Sequence, residues 1–184
     1  MMMENMETPP ITRDFTESGE LDLAQSYSKI GEVSAVEKKF AAAIEYLSWA
    51  ETILSELTIT EPRHDGYRYS LANNYARLGA AREGVKDLTA AIESYQKAIE
   101  KHTELRKRDE KDNMSIRAIA VAAQDAGRIY NELGETNQAL VFYRRSLEMF
   151  ALLEQKGSLG EYDRNGFETS RKAVEKLTRQ IGAK

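Results

Sequence analysis

SLANNYARLGAAREGVKDLTAAIESYQKA, residues 70–98, is the middle copy of a pattern that occurs three times in the chain. Ala24, Ala72 and Ala120 align, a step of 48 residues (72 − 24 and 120 − 72). The same step relates Gly31, Gly79 and Gly127, and also Ala43, Ala91 and Ala139. Ile30, Leu78 and Ala126 precede the glycines, and Leu47, Tyr95 and Tyr143 follow the second alanines by four residues. Ala50, Ala98 and Ser146 complete the register. A fixed period of this size belongs to a stacked array, in which each unit buries a face that only its neighbour can cover.

Outward from that stretch, the apolar residues fall at helical spacing. Leu23, Tyr27 and Ile30 lead into Val33, and Phe40, Ala43, Ile44, Leu47, Ala50, Leu54 and Leu57 follow. The alignment places the turn between these two helices near Lys38–Lys39. Pro62 stops the second helix, and Asp65–Gly66 is turn chemistry. Leu71, Tyr75 and Leu78 define a third helix, ending near Gly84. Asp87 is suited to cap the fourth, because its carboxylate accepts an otherwise unpaired amide. About Met114 to Leu133 forms a fifth, with Ile116, Ile119, Ile129 and Tyr130 on its buried side, broken by Gly134. Thr136 is placed to cap a sixth, which Lys156–Gly157 closes. Phe167, Val174, Leu177 and Ile181 mark a last helix with a polar back, the cap that a solenoid requires. The expected organisation is an N-terminal arm over 1–15 and an array over 16–184. Within the array the repeats cover about 20–60, 66–109 and 113–156, and the capping helix about 162–181. Pro9–Pro10 argues against helix in the arm, where Ile11 and Phe15 are placed to dock on the first repeat.

Glycine inside a helix costs about 1 kcal/mol against alanine. Three such costs at one register need a cause, and close approach of the paired helix supplies it, with Ala43, Ala91 and Ala139 as the small partners.

The third copy, Ala123-x2-Ala126-Gly127-x2-Tyr130-x3-Gly134-x4-Ala139-x3-Tyr143-x2-Ser146, resembles the tetratricopeptide repeat. Tyr27-x2-Ile30-Gly31 and Tyr75-x2-Leu78-Gly79 resemble it too, so the likeness covers roughly residues 20 to 181. The usual period is about 34, and this array departs from it by roughly four helical turns per repeat. Long first helices of this kind are similar to arrays found behind the catalytic domain of bacterial serine/threonine kinases. The resemblance implies an all-α, right-handed α-solenoid of three helical hairpins plus a C-terminal capping helix. It also implies a groove lined by the first helix of each pair. Carried over by register, that groove holds Gln25, Ser28, Lys29 and Glu32, then Asn73, Ala76, Arg77 and Glu83, then Gln124, Asp125, Arg128 and Asn131. Gln25, Lys29, Asn73, Arg77, Gln124, Arg128 and Asn131 are the expected contacts to a peptide, the cations serving a carboxylate. The lysine-asparagine clamp for chaperone tails is not reproduced, since Asp125 stands where the Lys29–Arg77 series would continue.

Chemistry beyond binding has little to stand on. The 184 residues hold 30 acids, 26 bases and no cysteine. A net charge of −4 of mixed sign gives no field for nucleic acid, and the absence of thiols excludes disulfides and thiolate metal sites. No apolar run approaches the ~20 residues of a membrane span, and the start MMMENMETPP lacks the basic and apolar regions of a secretory leader. A cytoplasmic location is expected. His64 sits in a loop, and His102 aligns with Leu54 and Phe150, which are core positions. No paired-histidine or phosphate-loop spacing occurs. The expected function is therefore a non-catalytic protein-interaction module, without cofactor or metal, that binds a protein or peptide partner in its groove; a homo-oligomer stays open. The alternative is a regulatory or self-associating segment of a larger kinase-like signalling enzyme. Trp49, whose repeat equivalents are Lys97 and Arg145, is read as covering the arm or as an interface residue.

Overall fold

A computed structural model describes residues 17–182, and seven helices account for nearly all of them. They are α1 (Glu17–Val36), α2 (Phe40–Thr60), α3 (Asp65–Gly84), α4 (Leu88–Arg108), α5 (Asn113–Glu132), α6 (Thr136–Gln155) and α7 (Glu161–Gly182). The first helices begin at 17, 65, 113 and 161, the second at 40, 88 and 136, all in steps of 48. The expected arm over 1–15, with Ile11 and Phe15, lies outside the described residues.

Each helix packs on its neighbours in sequence, and α1 also touches α3, as α5 touches α7. This is an all-helical repeat solenoid. Its core runs through the whole array, from Ala24 and Leu47 through Leu78 and Ala98 to Phe150 and Leu153. α7 occupies the place of a fourth first helix. At the repeat alanine and glycine positions it carries Glu168 and Glu175 (120 + 48 and 127 + 48), so it lacks the small side chains on which α2, α4 and α6 close. It is tied down by Asp163, whose carboxylate accepts from Arg117 Nε at 2.9 Å and from the Gly160 amide at 3.0 Å. The Arg117 bond, the Gly160 amide and the guanidinium charge hold this carboxyl below its ordinary range.

The helical glycines are explained by large partners rather than by small ones. A Cβ at Gly31 would stand 2.6 Å from Leu47 Cγ, one at Gly79 2.8 Å from the Tyr95 ring, and one at Gly127 3.2 Å from the Tyr143 ring. Leu47, Tyr95 and Tyr143 are thus knobs seated over glycine hollows. The buried alanines, including Ala43, Ala91 and Ala139, keep the two helix axes close enough for this.

Two local expectations are corrected. Asp65 and Gly66 belong to the first turn of α3, because His64 caps it: its Nδ1 accepts the Tyr67 amide at 3.3 Å, and its ring stacks on Tyr67. Thr136 does not cap α6; it is the first helical residue, and Glu135 precedes it without a side-chain bond. Asp87 does cap α4, accepting the Ala90 amide at 3.1 Å.

The turns inside the three hairpins share one conformation. Lys38, Lys86 and Gly134, again 48 apart, have φ of 61°, 65° and 77°. In the second turn Lys86 donates to Glu83 O at 2.9 Å and Asp87 to Arg82 O at 3.0 Å, which closes the α3 end in a Schellman motif. A lysine pays roughly 1 kcal/mol for this left-handed geometry, which glycine does not. Part of that gain returns as unfolded-chain entropy. Lys38→Gly with Lys86→Gly is expected to raise stability by about 1 kcal/mol in total and Tm by about 2–4 °C in a thermal melt.

Candidate peptide-binding face

The first helices line two adjoining hollows. The first, of about 710 Å³, lies between α1 and α3 and is lined mostly by polar residues: Asp22, Gln25, Ser28 and Lys29 on α1, and Tyr69, Ser70, Asn73 and Arg77 on α3. The second, of about 440 Å³, lies between α3 and α5 and is largely apolar. Ala76, Ala80, Ala118 and Ala122 line it beside Tyr95, and Met114 and Val121 stand exposed on α5. Tyr69, Asn73 and Arg77 line both hollows.

Helix geometry places these residues. On α3, Tyr69, Asn73, Ala76, Arg77 and Ala80 are spaced by three or four, which puts them on one face. Met114, Ala118, Val121 and Asp125 do the same on α5. The opposite faces are consumed by the core, so these rows are what the fold leaves over.

The cations expected to meet a ligand carboxylate each have an internal one. Lys29 binds Glu32 at 3.0 Å. Arg77 donates to Ser28 Oγ at 3.0 Å and pairs with Glu32 at 3.3 Å, crossing from α3 to α1. The Lys29 bond, with both positive charges, holds the Glu32 carboxyl below its ordinary value. Arg128 grips Glu83 with two bonds of 2.7 Å, crossing from α5 to α3, and also meets Asp125 at 3.3 Å. Burial pushes the Asp125 carboxyl up, against the pull of Arg128. These pairs lace one repeat to the next along the face.

Beneath Arg77 a buried chain continues the lacing. Ser28 Oγ donates to Asn74 Oδ1 at 2.9 Å, and Asn74 Nδ2 donates to Leu47 O at 2.8 Å. Asn74 is fully buried and satisfied, which is the condition for a polar side chain in a core.

Of the expected contacts, Gln25, Lys29, Asn73 and Arg77 come together around the first hollow. Gln124 lies farther on, with its Oε1 against Gly166 of α7. Arg128 and Asn131 are exposed toward the end of α5. Trp49 packs edge-on against Tyr27 and Tyr46, with ring centroids at 5.3 Å in each case, and lines neither hollow. The apolar hollow is the feature that sequence reasoning missed. The i, i+4, i+7 row Met114, Ala118, Val121 was its signal, hidden because α5 is apolar on other faces as well.

Residues 72–100 and 120–151 match the tetratricopeptide repeat family model. Both tetratricopeptide matches begin seven residues after their first helix does (72 − 65 and 120 − 113) and stop before the second helix ends. The extra length of this array therefore sits at the ends of the helices away from the hairpin turn. Met114, Arg117 and Tyr69, which enclose one end of the apolar hollow, all lie in that added length. No curated protein matches the chain. Among the described residues no group of three or more His, Asp or Glu side chains is placed to hold a metal ion, and no helix is long and apolar enough to cross a membrane.

Proposed function

We propose that the chain is a non-catalytic protein-interaction module whose first-helix face holds a peptide or a partner helix. The observation that carries this reading is the pairing of an apolar hollow with a polar one across the shared wall of Tyr69, Asn73 and Arg77. Tetratricopeptide repeats generally bind protein partners, which supports the same reading. The fitting ligand is amphipathic. It seats a bulky apolar side chain between Ala76, Ala118 and Val121, and it lays polar groups over Gln25 and Asn73. A ligand carboxylate takes Arg77 by displacing Glu32, since a half-exposed ion pair is worth no more than about 1 kcal/mol.

The test is a random peptide library selected on the parent chain and then measured on Val121→Asp and Met114→Asp. Both positions are exposed, so the variants should melt like the parent. Selected peptides are expected to share a bulky apolar residue and to lose at least about tenfold in affinity on either variant, because a desolvated carboxylate opposes their apolar side chain. Peptides that bound both variants as tightly as the parent would move the site off this face.

A further inference from the structure

A third hollow, of about 500 Å³, opens between α4 and α6, and none of its lining residues borders the two hollows of the first-helix face. Three guanidinium groups converge on it, from Arg106 on α4 and from Arg144 and Arg145 on α6. One carboxylate, Glu148, lines it with them, so its walls carry a net charge of +2 (3 − 1). Unlike Arg77, Arg117 and Arg128, none of the three arginines forms an ion pair among the described residues. Arg145 Nη2 donates to Thr103 Oγ1 at 2.9 Å, and Arg106 Nη1 to Met149 Sδ, a weak acceptor, at 3.4 Å. Arg106 and Arg145 are both half-buried, where a cation without a counter-charge is costly. Burial lowers the Arg145 pKa; Glu148 opposes this, and the Arg106 charge adds to it.

The preceding repeat treats the same position differently. Lys97, the equivalent of Arg145 (145 − 48), pairs with Glu51 of α2 at 3.7 Å and stands over the Tyr75 ring. The equivalent of Glu51 on α4 is Ile99 (51 + 48), a buried core residue. The boundary between α4 and α6 therefore keeps the cation and drops its acid. It also adds Arg106 where α2 has Thr58 (106 − 48). Packing gains nothing from gathering like charges in this way, whereas a ligand that brings its own negative charge does.

We propose that this hollow binds a phosphate monoester carried on a compact apolar group. Such a monoester bears about 1.5 to 2 negative charges at pH 7, which matches the charge of the walls. Planar guanidinium forks fit its oxygens in pairs. A carboxylate would leave one of the two positive charges unanswered. Ile119, Met149 and the exposed Val141 supply an apolar wall for the ester group. The volume is that of a small-molecule site rather than of a groove for an extended chain.

The test titrates the isotope-labelled full chain by NMR, in phosphate-free buffer, with phenyl phosphate, inorganic phosphate and benzoate. Phenyl phosphate is expected to shift amides around 103–106 and 141–149, and to bind at least about tenfold more tightly than either other probe, each of which lacks one half of the match. Arg106→Gln with Arg145→Gln should weaken it by at least about tenfold more. The Tm of that variant should equal or exceed the parent's, because the fold loses no ion pair with the two like charges. Lys172→Gln with Lys176→Gln removes the same charge from α7, which does not line the hollow, and should leave binding unchanged. Phosphate or benzoate binding as tightly as phenyl phosphate would overturn the proposal, as would amide shifts elsewhere or none at all. An arginine variant that kept the affinity would also overturn it. So would one that lost affinity together with several degrees of Tm, since the arginines would then belong to the fold.

Discussion

Replacing Gly79 by leucine should cost the array a net 2–3 kcal/mol, roughly, and lower Tm by about 5–10 °C. The Cβ alone would stand 2.8 Å from two atoms of the Tyr95 ring. That ring is buried among α3, α4 and their neighbours and borders the apolar hollow, so any shift of it moves a wall of that hollow. Helix propensity works the other way, since leucine gains about 1 kcal/mol over glycine. Overpacking must therefore exceed that gain for the variant to lose stability, and here three further carbons follow the Cβ into an occupied volume. Gly127→Leu should cost less, because its Cβ would begin 3.2 Å from Tyr143. Tyr95→Ala placed in the Gly79→Leu background should restore part of the loss, a coupling that a double-mutant cycle measures. If Gly79→Leu melted with the parent, the knob-over-glycine account of all three hairpins would fail.

The second large effect is one of pH. His102 is fully buried, with Nδ1 at 3.1 Å from Ser115 Oγ, Nε2 without a partner, and the edge of Tyr69 beside it. Burial pushes its pKa down to about 4, and the Asp112 charge opposes this only in part. In the unfolded chain the same ring titrates near 6.5. The unfolded state therefore takes up a proton first. Stability is complete above about pH 6.5 and falls as the pH drops toward 4. Between pH 7 and 4.5 the loss should be about 2 kcal/mol in urea titrations. The lowered carboxyls do not confuse this window: Glu32 and Asp163 lose their contribution only as the pH falls through values below 4.5 and 3.8 respectively. His102→Leu, which restores the residue found at Leu54, should flatten the dependence across that window. A variant that kept the full slope would assign the titration elsewhere.

The fold was legible because its determinants repeat. One alanine, one glycine and one turn position at 48-residue steps specify the hairpins, and Asp87 announced its helix by a purely local bond. What stayed hidden depended on contacts between repeats. Arg77 and Arg128 read as free cations until Glu32 and Glu83 came within reach from the preceding first helix. Spacings of 45 residues between those partners follow no local rule. Asp65 and Gly66 read as a turn because the residue that actually caps α3 is a histidine, which is rarely used for this. The apolar hollow needed two helices side by side before its alanines became one surface.

A tandem array has two unlike ends, and a contact between the tail of one molecule and the head of the next is heterologous: it forms a ring where the rotation closes and a fibre where it does not. Such growth would need the outer side of α7 to accept another helix as closely as α1, α3 and α5 accept theirs. Glu168 and Glu175 stand at the two places where that approach requires alanine and glycine. Glu168 is paired with Arg171 at the surface, and taking either carboxylate out of water would cost several kcal/mol, roughly. Two acidic side chains thus set the outer side of α7 against the close stacking that the inner helices of the array use.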